Sequence, residues 1–298
     1  MKGCEIMCIK NQKFDEERAL YGIHHTKVSH CIFEGPQDGE SPFKETHHVD
    51  IDQCFLALRY PFWHMKHSRI RNTEMTDLCR AALWYDNDIE IEDSQLHGIK
   101  AVRECHDIDL KNCDIISPEF GWMSTHIKMK HCQLSGEYPF LNSSYIELDD
   151  VKLKGKYSFQ YVKNMTIKNS YLDTKDAFWH SQNVTVYDSV VKGEYLGWYS
   201  ENLRLVRCKI IGTQPLCYAK GLKLEDCEMI DTDLSFEKSE VQATVIGHII
   251  SIKNPERGLI KANSIGEIIQ DGYTDCQIVQ DYVFVLECHE CCQENRCI

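Results

Sequence analysis

The residues best suited to chemistry in this chain are aromatic, and they keep a common beat. All five tryptophans, Trp63, Trp84, Trp122, Trp179 and Trp198, occupy one position of a repeat, five residues before the next unit begins. Beside that column run His64, Tyr85, Tyr161, His180, Tyr199 and Tyr218, with Asp176 and Glu194 nearby. Indoles in a row can stack sugar rings, and exposed aromatics in a row call for an explanation of that kind. Tyrosine, histidine and carboxylate groups bind hydroxyls or move protons. Asp176 and Glu194 lie 18 residues apart, which on adjacent units allows the roughly 5–10 Å of a glycosidase pair. His180 is the candidate base of a lyase.

These residues need a repeating scaffold, and the chain supplies one. The first apolar position of each unit falls at Ile89, Ile108, Ile127, Ile146, Met165, Val184, Leu203, Leu222 and Val241, each step being 19 residues. Earlier units start at Thr26, Val49 and Ser68, with the extra residues in turn-like segments such as 35–39. Insertions belong in loops, so this supports the register. Within a unit apolar residues alternate with period two, the strand signature, and no stretch holds a helical stripe. One such unit cannot bury its inner face, so the units stack in parallel about 4.8 Å apart.

The expected fold is therefore all-β: a single-stranded right-handed parallel β-helix (solenoid) of about 12–13 coils with a 19-residue period. A left-handed helix needs a strict six-residue rhythm that the chain does not keep. The helix with its N-terminal cap is expected over residues 1–270, segment 1–17 capping one end and Asn254 to Ile269 closing the other. A Cys-rich extension follows at 271–298.

Stacking turns each repeat position into a column. Cys31, Cys54, Cys113, Cys132, Cys208 and Cys227 alternate with Thr73, Ser94, Ser170 and Ser189, and read as small side chains at a buried corner. Asp93, Asn112, Asp150, Asn169, Asp188 and Asp226 precede them as turn formers. Arg69, Glu90, Asp109, Lys128 and Glu147 form a solvated, charged column. Leu20, Phe43, Phe62, Leu83, Val102, Phe140, Phe159, Phe178 and Leu216 read as continuous core. Alternation then sends the adjacent tryptophan column outward, together with Tyr21, Lys44, Arg103, Gln160 and Phe236. The alternative is an inward indole stack, with the phenylalanines covered by the N-terminal segment or a partner chain.

The formal charge of −13 argues against a generic nucleic-acid binder. The first ten residues hold no signal-peptide core and no stretch approaches a membrane span. Sixteen cysteines without a secretion signal point to free thiols in the cytoplasm. The tail Cys288-His289-Glu290-Cys291-Cys292, with Cys297, offers sulfurs for tetrahedral zinc. Adjacent Cys291 and Cys292 fit one site awkwardly, and no metal or other cofactor is assigned.

Several strings in order resemble a bacterial family, domain of unknown function 3737, of the pectin-lyase-like right-handed β-helix superfamily. They include Glu17-Arg18-Ala19-Leu20-Tyr21, Gly39-Glu40-Ser41-Pro42-Phe43-Lys44-Glu45, Arg59-Tyr60-Pro61-Phe62-Trp63 and Gly193-Glu194-Tyr195-Leu196-Gly197-Trp198-Tyr199. Gly212-Thr213-Gln214-Pro215-Leu216-Cys217-Tyr218 and Gly247-His248-Ile249-Ile250-Ser251-Ile252-Lys253-Asn254-Pro255 look like it too, as does Ser264-Ile265-Gly266-Glu267-Ile268-Ile269. The resemblance covers roughly residues 11 to 271 and implies the same fold. It implies no activity and transfers no catalytic residue.

Three functions are consistent with this reading: a carbohydrate-binding or scaffolding helix without turnover, a lyase or glycoside hydrolase, and a module that pairs with a second copy of itself through the aromatic face.

Overall fold

Inward-pointing Ile, Leu and Val at every second position give strands, and the computed structural model, which describes residues 7–35 and 40–281, consists of strands and turns alone. Among the described residues there is no helix. Successive rungs pair in parallel, from Met7–Lys10 against His24–Ser29 to Arg257–Ile269 against Asp275–Val279. The result is a parallel β-solenoid of about 14 turns with a period near 19 residues. The register is the expected one: Ile89 pairs with Ile108, Ile108 with Ile127, Ile127 with Ile146 and Met165 with Val184. The ends differ from expectation. The described part of segment 1–17 contributes Met7–Lys10 and Lys13–Phe14 as a rung of its own, and the ladder runs beyond residue 270 into Asp275–Val279.

The interior is a set of stacked columns. Phe43, Phe62, Phe140, Phe159 and Phe178 are almost wholly buried, and the rings of Phe140, Phe159 and Phe178 stack at 5.6 and 5.0 Å. Each such ring contributes roughly 1.5–3 kcal/mol of hydrophobic stabilisation. Phe236 belongs to this column and not to the tryptophan column as the 19-residue count had it. Its N–H bonds Pro215 O as that of Phe159 bonds Pro139 O, and the side chain is fully buried. The step from Leu216 is 20 residues, so a strict count lands one place early.

The corner between the first two strands explains the small-residue column. The preceding residue is left-handed, with φ of 51° at Asp93, 53° at Asn112 and 51° at Asn169, a conformation Asn and Asp tolerate best among non-glycine residues. The next side chain then turns inward and donates to the carbonyl two residues back: Cys113 Sγ to Lys111 O at 3.3 Å, Ser94 Oγ to Glu92 O at 2.8 Å, Ser189 Oγ to Tyr187 O at 2.6 Å. The same atom accepts an N–H from the preceding rung, as when Ser170 N donates to Ser189 Oγ at 3.0 Å. Thiol and hydroxyl are interchangeable here because both donate and accept. The recurrent glycine lies at the end of the second strand, where adjacent rungs approach closely: a Cβ on Gly193 or Gly212 would collide with Thr174 O or Gly193 O.

Candidate binding face

The third side of each rung carries the predicted site. It forms short strands at Phe62–Trp63, Leu83–Trp84 and Val102–Arg103, and elsewhere it is a turn in which alternate residues are left-handed. Asp176, Phe178 and His180 have φ of 54°, 62° and 54°. This geometry drives Phe178 into the core and leaves Trp179 and His180 outside it.

All five tryptophans share one column outside the core, and all five are half-buried. Their orientation differs from a flat platform. Trp63 and Trp84 stack on each other at 5.4 Å and 11°, and Trp179 and Trp198 at 5.5 Å and 4°. The spacing is close to the strand repeat of about 4.8 Å, so within each pair the two facing ring surfaces cover each other. Lys44 Nζ lies 3.7 Å from the centroid of Trp63, covering its outer face. Three indole N–H groups point into the wall, Trp122 to Tyr138 O (2.7 Å), Trp179 to Tyr195 O (2.7 Å) and Trp198 to Gln214 O (2.8 Å). The tryptophans therefore tie rung to rung.

The neighbouring column is more open. Tyr161, His180, Tyr199 and Tyr218 stack in sequence, each centroid 5.0 Å from the last and each pair within 13° of parallel. Tyr161 and Tyr199 are 48% and 44% exposed. Tyr218 leans on Glu237, its hydroxyl 3.5 Å from Oε2, and burial followed by that carboxylate pushes its pKa up. A second, shorter row holds His64 and Tyr85 at 5.2 Å. A hydrogen bond to Glu104 raises the Tyr85 pKa. Glu104, Met123 and Asn142 fill the column between the two rows, so the predicted residues form two clusters and not one ladder.

Asp176 and Glu194 do come to adjacent rungs, the N–H of Asp176 donating to Glu194 O at 2.9 Å. Asp176 is buried; burial pushes its pKa up, Lys175 opposes and Glu194 adds to the rise. Glu194 is exposed and its Oε2 lies 2.8 Å from Lys175 Nζ, so this carboxylate is held in a surface ion pair. His180 stands on the rung of Asp176, its ring sandwiched between Tyr161 and Tyr199.

Two further features escaped the sequence reading, and a third, the charged column read there as solvated, lines a groove. Asp86 is buried in a column otherwise filled by residues such as Cys105, Ser124 and Ser143. On the first sheet, Glu90, Asp109, Lys128 and Glu147 line a groove of about 450 Å³; burial raises the Asp109 pKa and Lys128 opposes it. Five histidines gather near the N-terminal end of that sheet. The doublets His24-His25 and His47-His48 immediately precede the unit starts Thr26 and Val49, which was the available signal. The Cys-rich tail from Cys288 onward lies outside the described residues.

Among the described residues no helix is long and apolar enough to cross a membrane. No curated protein matches the sequence. Among solved structures, the chain is similar to the A-module of the Azotobacter vinelandii mannuronan C-5 epimerase AlgE4, with 9% identity, a TM-score of 0.37, and coverage of 80% of this chain and 89% of that one. It is also similar to QnrB1, a plasmid-mediated fluoroquinolone resistance protein, with 12% identity, a TM-score of 0.26, and coverage of 75% and 91%. A third is a double mutant of the periplasmic alginate epimerase AlgG, with 6% identity, a TM-score of 0.26, and coverage of 94% and 75%. The sequence itself is decisive: a family model spans residues 7–279, and the chain belongs to the DUF3737 family, proteins of unknown function.

Proposed function

We propose that this protein is a non-catalytic binding scaffold that takes a neutral, extended glycan along the Tyr161–His180–Tyr199–Tyr218 row. The observation that carries the reading is the row itself: four polar-edged rings at a constant 5.0 Å step, rigidly borne by stacked rungs. A ring whose face is covered still presents its hydroxyl or ring nitrogen, and those edges are donors and acceptors for sugar hydroxyls. Contact is thus edge-on and hydrogen-bonded, not ring-on-ring. The net charge of −13 disfavours polyanionic chains. Among the described residues the free cysteines are mostly buried, Cys8 being the exposed one and Cys276 half-buried. Free thiols favour a reducing, cytoplasmic setting, where the ligand would be a soluble oligosaccharide.

Glycan-array binding tests this with wild type and a Tyr161→Ala/Tyr199→Ala double variant. The reading requires binding that the double variant loses. Equal binding by both proteins, or none by wild type, removes it. Light scattering of the same pair would reveal instead a dimer held by this face.

A second reading rests on Asp176. A carboxyl whose pKa is raised by burial is a candidate general acid, and its neighbour Glu194 would be the second carboxylate of a hydrolase. Product release from an oligosaccharide panel, lost in Asp176→Asn, would establish turnover; the ion pair of Glu194 with Lys175 argues for the scaffold.

A further inference from the structure

The first sheet places histidines together through a local backbone rule. His24–Ser29 pairs in parallel with His47–Asp52, His24 opposite His47, and His47 lies opposite Lys66 on the next rung. In a regular strand adjacent side chains leave on opposite faces. Here the second residue of each strand is left-handed, with φ of 48° at His25, 55° at His48 and 48° at His67. The alternation is interrupted for one residue, so both members of each doublet stay outside while Thr26 and Val49 return to the core.

The imidazoles then converge. His47 Nδ1 and His48 Nδ1 are 3.1 Å apart, His24 stacks on His47 at 5.1 Å, and His25 on His48 at 4.8 Å. Ring nitrogens of His25, His47 and His48 all lie within 4.8 Å of one another. Two imidazole nitrogens bound to one ion at about 2.0–2.1 Å sit roughly 2.9–3.4 Å apart in octahedral or tetrahedral geometry. His47 and His48 have that separation already. Next to them His67 is fixed by Asp88, Nδ1 to Oδ2 2.7 Å.

We propose that His25, His47 and His48 form a binding site for a divalent transition-metal ion of the zinc and nickel class, three imidazoles leaving the remaining coordination position open to water or an incoming ligand. Imidazole is the ligand these ions share, and an open position follows from the exposure of the patch. The site lies on the first sheet and is independent of the aromatic row.

The test is titration of Zn²⁺ into the full chain with Cys288, Cys291, Cys292 and Cys297 replaced by serine, so that tail thiolates do not compete, followed by calorimetry. One equivalent is expected to bind, and His47→Gln/His48→Gln to weaken it by at least about tenfold. His106→Gln, in a second group where His106 Nδ1 is already bonded to Asp107 at 2.7 Å, is expected to leave that equivalent unchanged. Both altered patches lie on the outer surface, and circular dichroism confirms folding. Absence of binding, binding that survives the double variant, or binding abolished by His106→Gln overturns the proposal.

Discussion

Asp86 Oδ1 accepts the backbone N–H of Met65 from the preceding rung at 2.7 Å, while Oδ2 of the same buried carboxyl has no hydrogen-bond partner. Burial raises its pKa well above the usual carboxylate value, and the Met65 N–H only partly opposes this. In the unfolded chain the group ionises near pH 4. Its cost to the fold is absent below that pH and grows as pH rises towards the elevated native pKa. Serine occupies the same column at Ser124, where Oγ donates to Trp122 O and accepts from Cys105 N. Asp86→Ser is therefore expected to stabilise the protein at pH 7 by about 1–3 kcal/mol and to flatten the decline of Tm between about pH 4 and 7. An unchanged pH profile would falsify this account of Asp86.

Cys54, Cys79 and Cys217 are the next test. Burial pushes the first up to about 11 and the other two up to about 12. At pH 8 roughly a thousandth or less of each is thiolate, and the thiolate is the reactive form. A brief pulse of thiol reagent on the native protein, read by peptide mass spectrometry, is expected to label the exposed Cys8 and to leave these three unmodified until denaturant is added. Early labelling of Cys79 would contradict its burial in the packed core.

What the sequence revealed of this structure, and what it hid, divides along a physical line. The columns of Ile, Cys and Asn were legible because burial and left-handed turns each restrict residue type, so a repeat of 19 shows through composition. Ring orientation was hidden: Trp179 and Trp198 share a column whichever way their planes lie, and only the rung spacing decides that their faces meet. The convergence of His47 and His48 was hidden because period-two reading sends neighbours apart; Asp88, Asp107, Asn164, Asn183 and Asn202, which share the column of His48 and are left-handed like it, were the mark that alternation breaks there. Phe236 was misplaced by one inserted residue. Asp86 resembled any polar residue before a strand until its neighbours proved to be serine and cysteine.

The tryptophan ladder makes a prediction that separates stability from binding. Trp179 stacks on Trp198 and donates to Tyr195 O, so Trp179→Phe keeps an aromatic ring and orphans a carbonyl. That change is expected to cost about 0.5–1.5 kcal/mol, and a double-mutant cycle of Trp179→Ala with Trp198→Ala to report about 0.5–1.5 kcal/mol of stacking. Urea denaturation monitored by far-ultraviolet circular dichroism measures both. A cycle coupling near zero would mean that the two indoles lie side by side without supporting each other.

Gly193 tests the closeness of the rungs directly. Its φ is 153°, near the limit of what other residues adopt, so the argument rests on space: a Cβ would strike Thr174 O on the preceding rung and leave no flexible atom to move aside. Gly193→Ala is expected to destabilise by about 1–3 kcal/mol, the usual cost of overpacking. Gly272 has nothing within 4 Å of a built Cβ and no left-handed φ, so Gly272→Ala should change Tm little. The contrast excludes a general effect of removing glycine flexibility. If both substitutions left Tm unaltered, the rungs at Gly193 would have to be further apart than this backbone places them, and the neighbouring aromatic row would lose the constant step on which the proposed edge-on glycan binding rests.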